Sequence, residues 1–317
     1  MSNPNVCSLS PAEIDCSGPW LLCPENPAET LIPSLKEHGQ LVPVLAVKES
    51  GKTLLIAGRS RVAAASKLGL DVLVRYIEAA DDTAKAVLHL EENCTRSVDE
   101  SLKLATMRFF SARMDSAELA ETAAPLMSLK PKSRDMKFWL DWMELTPEYD
   151  EFLRLGHIPL AAVSVLIKLD AADRKELIRF FEKLSWSRSN AVNFLTWLYE
   201  TSRREKKSIA DLISANSFEP AGQKESPKDA VGRFCKAAKE LRYPQLSELE
   251  GTHNRIVSEL CAGTKWQVLP VGNFETGEVM IQTRFKNREM MSKAIADLES
   301  IVDSSGWDGL FELGRDK

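Results

Sequence analysis

Ala57-Gly58-Arg59-Ser60-Arg61-Val62-Ala63-Ala64-Ala65 is the stretch on which the fold of this chain turns. The run Thr53 to Ala57 reads as a strand, and a compact Ala-rich helix follows from Ser60 to Leu68, stopped by Gly69. Gly58 therefore turns a strand into a helix. A helix begun this way offers unpaired backbone N–H groups and the positive end of its dipole, both of which favour an anion such as phosphate. Arg59 and Arg61 add charge-assisted donors suited to phosphate oxygens. Positive charge at a helix start is mildly unfavourable by itself, so the arginines hint at a bound anion. The plain alternative is a turn and nothing more.

Working outward, Glu29 to His38 places Leu31, Ile32 and Leu35 on one helical face, with Gly39 at the stop. Leu41 to Val47 reads as a strand and Val72 to Ile77 as a third. Asp81 and Asp82 can cap a helix running to Asn93. The result is a small α/β unit, and neither a G-x-G-x-x-G nor a G-x-x-x-x-G-K-[ST] phosphate loop occurs in the chain. Two more stretches flank the first: Gly39-Gln40-Leu41-Val42-Pro43-Val44 and Glu92-Asn93-Cys94-Thr95-Arg96. The Glu92 carboxylate and Asn93 carboxamide can hold a hard divalent cation whose shell phosphate oxygens complete, and Arg96 can reach the same phosphates. Together the stretches suit a magnesium–nucleotide or phosphodiester site. Singly, each also reads as a helix stop or a polar helix end.

From Ser97 the pattern changes. Ser97-Val98-Asp99-Glu100 has the form of a capping box, and helical periodicity then runs to about residue 205, enough for five or six helices. Residues 203–230 mix charge, Ser, Pro and Gly and contain a linker. A helix over Asp229 to Ala262, interrupted near Tyr243-Pro244, precedes a hairpin of Lys265 to Pro270 and Glu278 to Phe285. A helix from Asn287 to Ile301 closes the chain. The expected fold is α+β and multidomain: an α/β unit over 1–97, an all-α unit over 98–205, a linker over 206–230 and a small αββα unit over 231–317.

The chain has 317 residues, 41 basic and 46 acidic side chains and a net charge of −5. That excludes a globally basic coat for nucleic acid but not a local basic surface. No apolar run reaches the roughly 18 residues of a bilayer span, and no signal peptide is evident. Six cysteines without a C-x-x-C pair fit a reduced, cytoplasmic protein. The histidines (His38, His89, His157, His253) have no ligand spacing, and no nucleophile–base constellation emerges.

The order and spacing of the three stretches resemble the ParB family, including its KorB and Noc relatives. That family shows G-x-x-Q-P, G-E-R-R-x-R-A and E-N-x-x-R stretches in this sequence. Leu145-Thr146-Pro147-Glu148, Leu155-Gly156-His157-Ile158, Ala161-Ala162-Val163 and Leu169-Asp170 resemble its central helical domain, so the likeness extends over about residues 18–200. The resemblance implies a ParB/sulfiredoxin-like N-terminal domain, a helix-turn-helix domain and a C-terminal dimerisation module. It further implies a homodimeric clamp that binds CTP, or another nucleotide, with Mg2+ and closes around a specific double-stranded DNA site, in partition or transcription regulation. Gly39 and Pro43 would shape the pocket, and Gly58, Arg59, Ser60 and Arg61 would face phosphate. Glu92 and Asn93 would serve the metal, with Arg96 beside them. Any catalysis would be slow nucleotide hydrolysis, with Glu92 the candidate residue. The chain departs from the pattern at Val42, where the family has Gln, and in reading Gly58-Arg59-Ser60-Arg61 with Ala63 after it. A ParA-type ATPase is a further implied partner, although the family's basic N-terminal docking peptide is not seen. The expected location is cytoplasmic, with the nucleoid or a plasmid.

In the helix-turn-helix, Ser116 would cap one helix and Ser133-Arg134-Asp135-Met136-Lys137 would open the recognition helix. Lys130, Lys132, Arg134 and Lys137 gather there, suited to DNA phosphates, and Arg134 can also read guanine. A solvated charged face is the plain alternative. Phe138, Trp139 and Trp142 are expected to pack against neighbouring helices. Two other functions stay open: a small-molecule kinase of the same N-terminal fold, and a degenerate ParB-like adaptor that binds without nucleotide.

Overall fold

The computed structural model describes residues 6–24, 29, 31–94, 97–216, 218 and 225–313. The chain divides into two compact units, Met1–Arg188 and Ser189–Lys317. The first combines a mixed sheet with a run of helices, and the second is mainly helical with one hairpin, so the class is α+β.

The sheet of the first unit has the order β1-β5-β3-β4-β2. Its strands are β1 (Val6–Leu9), β2 (Ile14–Asp15), β3 (Val44–Glu49), β4 (Lys52–Ala57) and β5 (Val72–Tyr76). β3 pairs antiparallel with β4 and parallel with β5, while β1 and β2 line the two edges. The periodicity of the sequence reveals only the central three, because edge strands of four and two residues are too short to show alternation. β3 also starts three residues later than the expected Leu41. Leu41 and Val42 are exposed, and the carbonyls of Val42 and Pro43 accept hydrogen bonds from a side chain instead of from a strand. The sheet buries Val44, Ala46, Leu55, Ile56, Val72 and Val74 against α2 (Arg59–Leu68) and α3 (Asp82–Glu92), and α1 (Ile32–His38) packs on α2. Gly39 and Gly69 end α1 and α2 with positive φ, as their positions suggest. Asp81 caps α3 by accepting from the Ala84 N–H at 2.8 Å.

Next come α4 (Glu100–Ser111), α5 (Ser116–Leu126), α6 (Arg134–Met143), α7 (Glu148–Arg154), α8 (Val163–Leu166) and α9 (Ala171–Leu177). With α10 (Arg188–Glu205), this makes seven helices among the described residues where five or six longer ones were expected. Several are a single turn or two, set off by Pro147, Pro159 and the left-handed Gly156. The cap of α4 is Asp99, which accepts from the Leu102 N–H at 2.8 Å, so the capping box expected from Ser97 does not form. An internal ion pair anchors these helices. Arg108 of α4 donates twice to the Asp150 carboxylate of α7, each bond 2.8 Å, and Asp150 also accepts from the Trp142 indole at 3.0 Å.

In the second unit, Phe194 of α10 meets Phe218 and Phe234, with ring centroids 6.2 to 6.5 Å apart. Within the stretch expected as a linker, α11 (Ile209–Ala215) buries Ile209, Leu212 and Ile213. Residues 217 and 219–224 of that stretch lie outside the described residues. α12 (Pro227–Arg242) and α13 (Pro244–Leu260) are separate helices, because Pro244 cannot continue the first but suits the first turn of the second. The hairpin is β6 (Gln267–Pro270) with β7 (Val279–Gln282), antiparallel from Gln267↔Gln282 to Pro270↔Val279. α14 (Arg288–Ile301) is followed by α15 (Gly306–Glu312), a helix not anticipated, which completes a core of Leu260, Val268 and Leu310.

Candidate functional site

Gly58 stands between β4 and α2 with φ +106°, a left-handed conformation that L side chains rarely adopt. A Cβ there would lie 2.7 Å from Val44 Cγ1, so the site demands glycine twice over. With no side chain at the cap, the start of α2 makes no side-chain capping bond. Arg61 then does what neither its spacing nor its neighbours foretell. Its Nη1 donates to the carbonyls of Val42 at 2.9 Å and Pro43 at 2.8 Å, and its Nη2 sits 3.6 Å from Glu92 Oε1. One guanidinium thus joins all three sequence stretches at the same point.

The other candidates divide. Arg59 donates to the Leu21 carbonyl at 3.2 Å, and Ser60 is buried. Gly39, with φ +68° and open space around it, serves as the stop of α1. Pro43 lies beside Arg61 through its carbonyl. Asn93 donates to the His89 carbonyl at 2.7 Å, closing the last turn of α3. Its side-chain oxygen has no partner among the described residues. Arg96 lies outside the described residues. Among the described residues no cluster of three or more His, Cys, Asp or Glu side chains could hold a metal. Two oxygen donors, Glu92 and Asn93, suit Mg2+ only if a nucleotide supplies the remaining ligands.

Two contributors were not foreseen. Gln40 donates from Nε2 to the Leu73 carbonyl at 2.9 Å and accepts the Leu73 N–H at 2.7 Å, fastening the first stretch to β5 as a backbone pair would. His89, buried in α3, has Nδ1 2.7 Å from the Ile56 carbonyl, and its Nε2 accepts the Cys23 N–H at 3.0 Å. The neutral Nδ1–H tautomer satisfies both contacts. His89 lies one helical turn before Glu92 and Asn93, and that spacing was the available signal.

The basic cluster sits on the turn between α5 and α6. Ser128 takes φ +56° just past α5, and the Leu129 N–H bonds the Ala124 carbonyl at 2.8 Å, which ends the helix. Ser133 caps α6 by accepting from the Met136 N–H at 3.1 Å, as expected. Ser116 does not cap α5; it is the first helical residue, and Asp115 accepts from the N–H groups of Ala117 and Glu118 instead. Asp115 is one residue earlier and carries the stronger acceptor. Lys130, Lys132, Arg134 and Lys137 are all exposed and form no ion pair among the described residues. Phe138, Trp139 and Trp142 are buried, as packing residues should be. By contrast, Arg204 in the run Arg203 to Lys207 donates to the carbonyls of Leu241 and Arg242, a structural tie across the second unit.

Among the described residues no helix is long and apolar enough to cross a membrane. No protein-family model matches the chain. It is 29% identical over 151 residues to a probable chromosome-partitioning protein ParB of Campylobacter jejuni, covering 47% of this chain and 53% of that protein. It is 29% identical over 155 residues to a probable ParB of Helicobacter pylori, covering 49% and 52%. The chain thus spans about half the length of the curated relatives it matches. A C-terminally truncated ParB from Caulobacter crescentus complexed to the centromeric parS site aligns at 17% identity and TM-score 0.37, over 60% of this chain and 98% of that one. The corresponding structure complexed with CTP-gamma-S aligns at 22% identity and TM-score 0.26, over 56% and 98%. The relatives bear out the family resemblance read from the sequence.

Proposed function

We propose, proceeding from this ParB likeness, that the chain is a DNA-binding partition protein whose grip on DNA responds to a nucleotide, CTP being the first candidate. The observation that carries the reading is Arg61, which brings the three sequence stretches to one point at the start of α2. Arg61 would turn from the Val42 and Pro43 carbonyls toward phosphate. Glu92, relieved of its ion pair, would then serve Mg2+ together with Asn93. Such an exchange couples the β3 entry, α2 and α3, and so gives a bound nucleotide a mechanical consequence. Arg59, Ser60, Gly39, Pro43 and Arg96 stand as the remaining pocket candidates.

Lys130, Lys132, Arg134 and Lys137 would contact DNA phosphates, with Arg134 also available to a guanine edge and Ser116 and Ser133 at the flanking helix starts. A homodimer is supported by α14. Met291 and Ile295 are exposed on it, and with Leu298 and the exposed C-cap residue Val302 they follow the 4-3-4 spacing of a helical seam that a second copy would cover. Calorimetric titration of CTP with Mg2+, with and without DNA, tests the switch, and no heat with any nucleotide would remove it. Replacing Lys132, Arg134 and Lys137 together by Ala should abolish DNA retention; unchanged binding would refute the DNA face. The Arg59 tether to Leu21 favours one second reading, an adaptor that binds DNA without nucleotide. DNA retention together with a null nucleotide titration would select it.

A further inference from the structure

A cavity of about 300 Å³ lies beside the first turns of α6 and α4, and its wall carries Lys103, Arg188, Glu100, Asp135 and Trp139. Two features set it apart from ordinary surface relief. The first is its charge. Two cations and two carboxylates face one small space, yet none of the four side chains makes an ion pair or hydrogen bond with another described residue. Lys85, by contrast, is paired with Glu49 and Asp82 elsewhere in this unit.

The second feature is the indole of Trp139. Only 1% of this residue is exposed. The buried tryptophans Trp20, Trp142 and Trp186 each donate their N–H to a protein oxygen, at 2.7, 3.0 and 2.8 Å. Trp139 donates to no described residue. Its N–H is also not among the buried polar atoms sealed from solvent without a partner. The indole N–H therefore meets solvent, and its acceptor is water or a bound ligand. The cavity is the space on which Trp139 borders.

From these observations we propose that the cavity is a binding site for a small zwitterion, an α-amino acid with an apolar side chain. The carboxylate would accept from the Trp139 indole with Lys103 and Arg188 around it, and the ammonium group would face Glu100 and Asp135. The apolar side chain would lie on Leu129, Phe138 and Leu160, which with Pro159 and Ala161 complete the wall. Both charges of such a ligand meet their complements, and its apolar part leaves water, the combination that small-ligand cavities use. Because α6 supplies Asp135, Phe138 and Trp139, an occupant would stiffen the turn that presents Arg134 and Lys137. The site itself goes beyond the partition reading and does not depend on it.

The test uses the full chain with 15N-labelled tryptophan and no DNA or nucleotide. Each common amino acid is titrated singly to millimolar concentration while the indole resonances are followed. At least one apolar amino acid is expected to move the Trp139 resonance, assigned by its loss in Trp139→Phe. Lys103→Met and Arg188→Met, both at the rim and outside the core, should weaken that ligand by roughly tenfold each, one charged contact's worth. No movement with any amino acid, or affinity unchanged in both rim variants, would overturn the proposal. Either result leaves the DNA and nucleotide titrations to be judged separately.

Discussion

Asp150→Ala is the substitution whose cost the structure allows to be worked out most fully. Asp150 is 8% exposed and accepts three hydrogen bonds, two from Arg108 and one from the Trp142 indole. Removing one partner of a buried ion pair typically costs about 3–5 kcal/mol, because the other charge stays buried. Arg108 tempers this figure. Its side chain is 25% exposed and keeps the carbonyls of Met143 and Leu145 at 3.2 and 3.0 Å. The lower end, about 3 kcal/mol, is therefore the share assigned to the pair. Trp142 is fully buried, and its orphaned N–H adds about 1 kcal/mol. The expected total is about 4 kcal/mol, a large part of the roughly 5–15 kcal/mol that holds a domain folded. Asp150→Asn keeps one acceptor oxygen and should lose about half as much. Urea unfolding followed by far-ultraviolet circular dichroism measures both. In a double-mutant cycle, Arg108→Met with Asp150→Ala should cost clearly less than the two single changes summed. A loss below about 1 kcal/mol for Asp150→Ala, or strict additivity, would refute the view that this pair anchors α4, α6 and α7.

Gly58→Ala should cost about 3 kcal/mol, from left-handed strain plus a clash with Val44, and should abolish nucleotide binding in the same titration. Serine there should fare no better, whereas Gly39→Ala, with open space around its Cβ, should cost only the left-handed strain. Cys94, exposed beside Asn93, should alkylate first with N-ethylmaleimide at pH 8, and CTP with Mg2+ should slow it. Cys235 should lag far behind, since burial pushes its thiol up to about 11 and leaves little thiolate; mass spectrometry of the peptides reads both rates. Lys85 is buried, and although desolvation pulls its pKa down, the Glu49 and Asp82 carboxylates more than offset that and hold it above 10.5. Its contribution to stability is therefore complete below pH 10.5 and is lost as the pH rises from there through the higher folded-state pKa. The stability gap between the native chain and Lys85→Met should be constant from pH 7 to 10 and shrink beyond, and a gap unchanged at pH 12 would contradict the assignment.

Much of the α/β unit, and the hairpin of the second unit, was legible because the signals are local. Gly39 and Gly69 stop helices by adopting positive φ, Asp81 caps α3, and the β6–β7 hairpin follows from alternation on both sides of a turn. Near misses came from competition between neighbours. Ser116 and Ser97 both look like caps, but Asp115 and Asp99 lie close by and accept more strongly as carboxylates. The edge strands β1 and β2 were invisible because pairing with a distant partner makes them strands, not their own composition. α15 was missed for a similar reason: at seven residues it is held by Leu310 packing on Leu260 and Val268.

For the candidate sites, the chain carries the inventory in its local order: three ordered stretches, a glycine turn into an arginine-bearing helix, and four cations ahead of an aromatic-rich one. Which of those charges are spoken for was decided by the tertiary structure alone. Arg59 and Arg61 are two residues apart and look equivalent, yet one reaches back 38 residues to Leu21 and the other 19 to Val42 and forward to Glu92. Lys130 to Lys137 and Arg203 to Lys207 are both basic runs, yet only the second folds a guanidinium onto helix-end carbonyls. A charge declares its kind in the chain. Its partner is whatever the fold brings within about 3 Å of it, and long-range packing sets that distance.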